Sequence, residues 1–251
     1  MCKTCKAEDV ALLNRRSLLG LGAAGLTAAA GLMLPGRAFA DCAPFTADSQ
    51  AAMTPAKAIE ALMAGNGRFA AGRALNCDPL VNIAATAEKQ TPFACVLACI
   101  DSRSAPEHVF DQQVGDIFTA RVAGNLPTPE IIGSFEYATL VAGACAIVVL
   151  GHSHCGAVKG AIDRAVVADN LTTLLEELEP AVAATPLEGE RSSANHHFVE
   201  SVAETNVRFA VASFLANSPA LAGLVDSGKL VVSGALYDVE TGVVRLLSDH
   251  A

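Results

Sequence analysis

The sequence predicts an α/β fold in which a mainly parallel β-sheet, about four parallel strands plus an antiparallel edge strand, is flanked by helices. Two observations carry this prediction. Short unbroken apolar runs recur along the chain, as expected of strands buried on both faces. Segments with helical spacing stand between them, which is the alternation of parallel βαβ units. The 251 residues, 52% of them hydrophobic, suffice for one substantial core.

The first legible element is a leader. Arg15 and Arg16 precede an uncharged run from Ser17 to Leu34, rich in Gly, Ala and Leu, and Arg37 precedes Ala38-Phe39-Ala40, a small-x-small cleavage pattern. This arrangement resembles a twin-arginine export signal over residues 1–40, which implies cleavage after Ala40 and a periplasmic protein that folds and loads metal before export. The competing reading is a membrane anchor, but the run is short for a span and diluted by Gly and Ala. Asp41 directly before Cys42 makes no lipoprotein cleavage box.

Residues 41–251 read as one domain, without repeats or low-complexity tracts. Thr54 and Pro55 form an N-cap and first helical residue for a helix reaching about Phe69 and ended by Gly72, with Ala58, Leu62 and Phe69 on its apolar stripe. Phe93-Ala-Cys-Val-Leu-Ala-Cys99 is the first buried strand, Ile117 to Ala120 the second, and Cys145 to Leu150 the third. Between the second and third lies Pro129 to Ala142, with Ile131, Ile132, Phe135 and Leu140 spaced for a helix. Helices follow over 169–182 and 193–216, the latter with Val199, Val202, Val207 and Val211 inward. Lys229 to Leu236 returns to strand. Asp238-Val-Glu-Thr-Gly242 then turns into Val243 to Leu247, a hairpin at the sheet edge.

Charge excludes some partners. Removing the leader takes five basic and two acidic side chains, leaving 12 basic against 24 acidic, a net charge of −12. Nucleic acid and anionic lipid both require a basic footprint, so neither is expected as a partner, nor is a membrane after cleavage. The eight cysteines divide by context. Cys2 and Cys5 precede the arginine pair and leave with the leader. Cys95 and Cys145 sit in apolar runs and pack as small hydrophobes. Cys42 and Cys77 flank the first helix and, in an oxidising compartment, could pair.

Chemistry gathers at two strand ends. The first strand ends in Cys99-Ile-Asp101-Ser-Arg103 and the third in Gly151-His152-Ser-His154-Cys155-Gly156. In open α/β sheets, ligands collect beyond the carboxyl ends of parallel strands where the strand order reverses. If the two strands are neighbours, Cys99 and His152 reach one ion. Cys155 would join them from the first turn of the next helix, where the dipole favours a thiolate. Two thiolates and an imidazole suit zinc, with Asp101 or a water completing the tetrahedron.

Cys-x-Asp-Ser-Arg followed about fifty residues later by His-x-x-Cys resembles the β-class carbonic anhydrases. Gln90, Phe118 and Tyr137 match the substrate-pocket positions of that family's plant-like branch. Arg121-Val-Ala-Gly-Asn125 and the Tyr237 to Gly242 pattern match its turn after the second strand and its closing hairpin. The resemblance implies one Zn2+ per subunit on Cys99, His152 and Cys155, and an obligate homodimer or higher even oligomer with active sites at the interface. It implies reversible hydration of carbon dioxide to bicarbonate and a proton through zinc-bound hydroxide. Gln90, offered with Tyr137 partly by the neighbouring subunit, would donate to the substrate oxygen, and carbon dioxide would sit near Phe118. Arg103 would hold Asp101 off the metal, and Asp101 would become a fourth ligand only in a closed state. That closed state is assisted in the family by a pocket with a tryptophan. This chain has none, and Val96 stands at the matching place, so the paired state is expected at neutral pH.

Competing readings are a carbon disulfide or carbonyl sulfide hydrolase with the same ligands, and a non-catalytic zinc or thiol-binding protein with its fourth position blocked. His154 could close such a site, although its adjacency to Cys155 strains joint coordination with His152. His108, His196, His197 and His250 carry no motif. His196 or His197 could relay protons if the helix end reaches the pocket. Asp101 and Arg103 could be a salt bridge alone.

Overall fold

Five strands form a single sheet in the order β2-β1-β3-β4-β5. They are β1 (Ala94–Ala98), β2 (Ile117–Arg121), β3 (Ala146–His152), β4 (Val231–Tyr237) and β5 (Val244–Leu246). The first three pairings are parallel, and β4 with β5 is an antiparallel hairpin. The structure, a computed structural model, describes residues 42–186 and 189–247. The expected leader, with Cys2 and Cys5, and His250 lie outside these residues. Among the described residues no single helix is long and apolar enough to cross a membrane.

Strand alternation divides the core in two. Cys95 and Leu97 of β1 and Ile147 and Val149 of β3 face the helices α5 (Pro129–Glu136), α6 (Gly156–Ile162) and α9 (His196–Asn217). Ala94, Val96 and Ala98 face the other way, with Ala146, Val148 and Leu150, against α2 (Pro55–Ala70). Both central strands are therefore buried on both faces, which explains why they read as unbroken apolar runs. The long α9 buries Val199, Val202, Val207 and Val211 as its spacing predicts, and Phe214 stacks on Phe135 with ring centroids 5.5 Å apart. The α2 helix starts as its cap predicts, with the Thr54 side chain accepting from Lys57 N–H. Against it lies the short α4 (Pro106–Val109), at a site that tolerates only glycine. A Cβ on Gly65 would stand 1.8 Å from the Phe110 carbonyl oxygen.

Several expectations need correction. β2 is the outer strand and is only partly covered, so it is not buried on both faces. The helix over 129–142 changes at Tyr137 into a π turn, Tyr137–Val141, on which Leu140 is exposed. The segment 169–182 is two helices, α7 (Asp169–Glu176) and α8 (Glu179–Ala184), because Pro180 has no N–H to continue the first. Cys145 precedes β3 and is half-buried. Helices α1 (Ala47–Ala51), α3 (Pro79–Thr86), α4 and α10 (Pro219–Asp226) had no strong periodic signal; three of them open on a proline.

Cys42 and Cys77 form a disulfide that closes a 35-residue separation. In chain-entropy terms such a loop contributes about 4 kcal/mol.

Asp116, at the amino end of β2, titrates anomalously. Burial pushes its carboxyl up to about 6, opposed by the Gln113 N–H donated to its Oδ2 at 2.8 Å. A raised folded value means that the full contribution to stability exists below the unfolded pKa and is lost as pH rises through about 6. Asp116→Asn keeps an acceptor for Gln113 and removes the buried charge. Urea unfolding is expected to show the variant more stable by on the order of 2 kcal/mol at pH ~8 and unchanged at pH ~3.5. Equal stabilisation at both pH values would contradict this origin.

Candidate metal centre

The strand order reverses between β1 and β3, and the crevice beyond their carboxyl ends is where this topology binds ligands. Cys99 is the first residue after β1, and His152 is the last of β3. Their strands are direct neighbours, with Ala98 paired to Leu150. Cys155 is the N-cap of α6, one position earlier than the first-turn placement expected from sequence. Its side chain makes no capping hydrogen bond. The two sulfurs and an imidazole nitrogen lie within 4.8 Å of one another. All three residues are buried, at 4%, 1% and 1% exposure in chain order.

The histidine decides what this cluster is fit for. His152 Nδ1 lies 2.8 Å from the Ser153 carbonyl, which can only accept, so the ring proton is on Nδ1 and the lone pair on Nε2. Nε2 is buried and has no hydrogen-bond partner. An orphaned buried acceptor is costly, and here it stands beside two thiols. A borderline cation satisfies all three donors at once.

The thiols are polarised against each other. Hydrogen bonding from Cys155 pulls the Cys99 thiol down against the opposing cost of burial, and the backbone N–H groups of Asp101 and Gly124 assist. Cys155 is pushed up, first by that same bond to Cys99 and then by burial.

Beside the cluster, Arg103 forks onto Asp101, with Nε to Oδ1 at 2.9 Å and a terminal nitrogen to Oδ2 at 2.7 Å, while the Arg103 backbone N–H also donates to Oδ1 at 2.9 Å. This bond, opposed by burial, holds the Asp101 carboxyl well below the usual carboxylate range. The loop itself is clamped by residues that sequence reasoning assigned no role. Arg121 donates to the Cys99 carbonyl at 3.0 Å and to the Asp101 carbonyl at 2.6 Å. The fully buried Ser104 hydroxyl bonds the Asp101 carbonyl at 3.0 Å. Asn206 of α9 holds the Gly124 carbonyl at 2.8 Å. Arg121 ends β2, so the rule that singled out Cys99 and His152 at strand ends would have found it.

Phe118 and Tyr137 meet edge to face with centroids 6.4 Å apart. Tyr137 and Gln90 line one cavity of about 620 Å³, and none of the three clustered ligands lines it. Val96 faces α2, across the sheet from Cys95. His154 stays out of the cluster: it pairs with Glu240 at 2.9 Å, and its ring lies 5.0 Å from that of His196.

The sequence profile of the carbonic anhydrase family matches residues 94–244, which contain the whole cluster. The chain belongs to this family. Carbonic anhydrase 2 of Mycobacterium tuberculosis is 35% identical over 201 residues, covering 78% of this chain and 94% of that protein. A carbonic anhydrase of Pseudomonas aeruginosa is 37% identical over 171 residues, covering 64% and 76%. The fold matches solved β-carbonic anhydrases. A tetrameric enzyme of Sordaria macrospora aligns with TM-score 0.59 and 24% identity over 78% of this chain and 99% of that one. The Coccomyxa enzyme in complex with acetazolamide aligns with TM-score 0.60 and 23% identity over 78% and 84%.

Proposed function

We propose that this chain is a zinc enzyme that reversibly hydrates carbon dioxide to bicarbonate and a proton. The observation that carries the reading is the orphaned Nε2 of His152 within 4.8 Å of two buried thiols, in a chain of the carbonic anhydrase family. Cys99, His152 and Cys155 would hold the ion, leaving one of four tetrahedral positions for chemistry. Bound zinc supplies a water acidified to about pH 7, the value known for the three-histidine carbonic anhydrases. Arg103 keeps the Asp101 carboxylate engaged and away from the donors, so that fourth position stays exchangeable. Phe118 and Tyr137 form an apolar wall for carbon dioxide, and the Gln90 amide donates to the oxygen on which negative charge develops.

The active unit is a homodimer or higher even oligomer. Tyr137 is 52% exposed and adjoins exposed Leu140, Val141 and Val114, an apolar face beside Gln90 that a second subunit would cover. Gln90 and Tyr137 then serve a site at the interface, in the manner of the family's plant-like branch. Residues 1–40 act as a twin-arginine signal, and the mature protein is periplasmic. The Cys42–Cys77 disulfide, directly after the expected cleavage point, supports an oxidising compartment.

Stopped-flow hydration of carbon dioxide, run beside a sulfide-release assay with carbon disulfide on residues 41–251 of known metal content, tests the reading. Hydration that scales with zinc content, without sulfide release, is expected. Sulfide release alone, or neither activity with a full complement of zinc, would refute it.

A further inference from the structure

The short helix α1 buries none of its five residues, so it adds nothing to either core. Its last polar side chain nevertheless lines the cavity that holds Gln90 and Tyr137 and is bound to two separate segments of chain. The Gln50 amide nitrogen donates to the Pro92 carbonyl at 2.7 Å and to the Ala142 carbonyl at 2.7 Å. Pro92 stands two residues beyond Gln90. Ala142 closes the π turn that opens at Tyr137, with its N–H bonded to the Tyr137 carbonyl at 3.1 Å.

We propose that Gln50 is a positioning residue for the substrate pocket: it ties the Gln90 segment to the Tyr137 turn and sets their separation, and the Cys42–Cys77 disulfide anchors the arm that carries it. The proposal rests on the carbonic anhydrase reading for the roles of Gln90 and Tyr137. The chemistry of the amide suits the task, since one NH2 group has two protons and meets two carbonyls. Three further contacts make the attachment specific. The Thr91 hydroxyl donates to the Phe45 carbonyl at 3.0 Å, the Phe45 and Phe93 rings pack with centroids 5.2 Å apart, and the disulfide fixes the start of the arm. Gly143 leaves room for the amide. It sits at φ +85°, where a Cβ would come within 3.2 Å of the Gln50 nitrogen.

Gln50→Glu is nearly isosteric and sets acceptors against both carbonyls, whereas Gln50→Lys restores N–H donors. In the zinc-loaded mature protein, Gln50→Glu is expected to lower kcat/KM about tenfold, mostly through KM, with zinc content unchanged. Gln50→Lys should recover to within about twofold of wild type. A second readout needs no activity. The protein has two tyrosines and no tryptophan, and Tyr237 is 4% exposed, so acrylamide quenching of tyrosine emission, compared between samples of the same oligomeric state, follows Tyr137. Quenching should rise about twofold in Gln50→Glu and less in the Cys42→Ser/Cys77→Ser double variant, which keeps Gln50 but frees the arm. If wild type does not hydrate carbon dioxide, the parent reading fails while the quenching comparison still decides the positioning role. A Gln50→Glu protein that melts at a lower temperature yet keeps wild-type KM and quenching has lost only a structural contact, and that result overturns the proposal. Unchanged quenching in the double variant removes the disulfide from it.

Discussion

Cys155→Ser is expected to abolish stable zinc binding and carbon dioxide hydration together, while the protein still folds. The site has three protein donors within 4.8 Å, the number at which a catalytic zinc site operates with one exchangeable position. Removing the α6 thiolate leaves one sulfur and one imidazole nitrogen. Serine is a favoured N-cap residue and close to cysteine in size, so α6 keeps its start. It is a hard, neutral oxygen, however, and cannot replace a soft anionic donor. A loss of at least about a thousandfold in zinc affinity, ~4 kcal/mol, is expected. Metal analysis after dialysis against a chelator, with hydration measured on the same sample, checks it. A folded variant that retains one zinc per chain and its activity would show that Cys155 is not a ligand.

The cluster of Cys99, His152 and Cys155 was legible because the chemistry of buried strands leaves little choice. β1 and β3 are covered on both faces, so they read as apolar runs, and polar or metal-binding residues at their carboxyl ends stand out against that background. What the residue string could not convey is contact made by backbone atoms. Arg121 acts on the Cys99 and Asp101 carbonyls, and Asn206 acts on the Gly124 carbonyl 82 residues earlier. The strand end marks Arg121, but no pattern of side-chain types marks Asn206. The π turn was hidden for a related reason. Its sequence has ordinary helical spacing, which does not distinguish the wider winding of a π turn from an α-helix. The N-terminal arm was invisible as a working part because α1 is five residues long and carries no apolar stripe.

Arg103→Leu is expected to lower hydration about a hundredfold, ~2.7 kcal/mol in barrier, with little change in melting temperature. Arg103 is half exposed and its partner mostly covered, so the pair itself contributes at most about 1 kcal/mol to folding. Its value lies in direction. The forked guanidinium and the Arg103 backbone N–H occupy both carboxylate oxygens of Asp101, and Asp101 is two residues from Cys99. Without the fork, an anionic oxygen donor is free beside a site that has one position left. The Asp101 carboxylate would then be free to serve as a fourth protein ligand to a bound zinc in place of water. Because Arg103 holds that carboxyl below its ordinary range, the pair contributes above about pH 4 and is lost only as pH falls through the depressed value. Activity changes between about pH 6 and 9 therefore arise elsewhere than in the titration of this pair. Zinc-edge spectroscopy at pH ~7 should detect a carboxylate oxygen ligand in Arg103→Leu and none in wild type. Arg103→Lys should fall between them, since an ammonium supplies charge without the fork. A carboxylate ligand already present in wild type at that pH would mean that the fork does not keep Asp101 from the metal, and a fully active Arg103→Leu would mean that nothing depends on it.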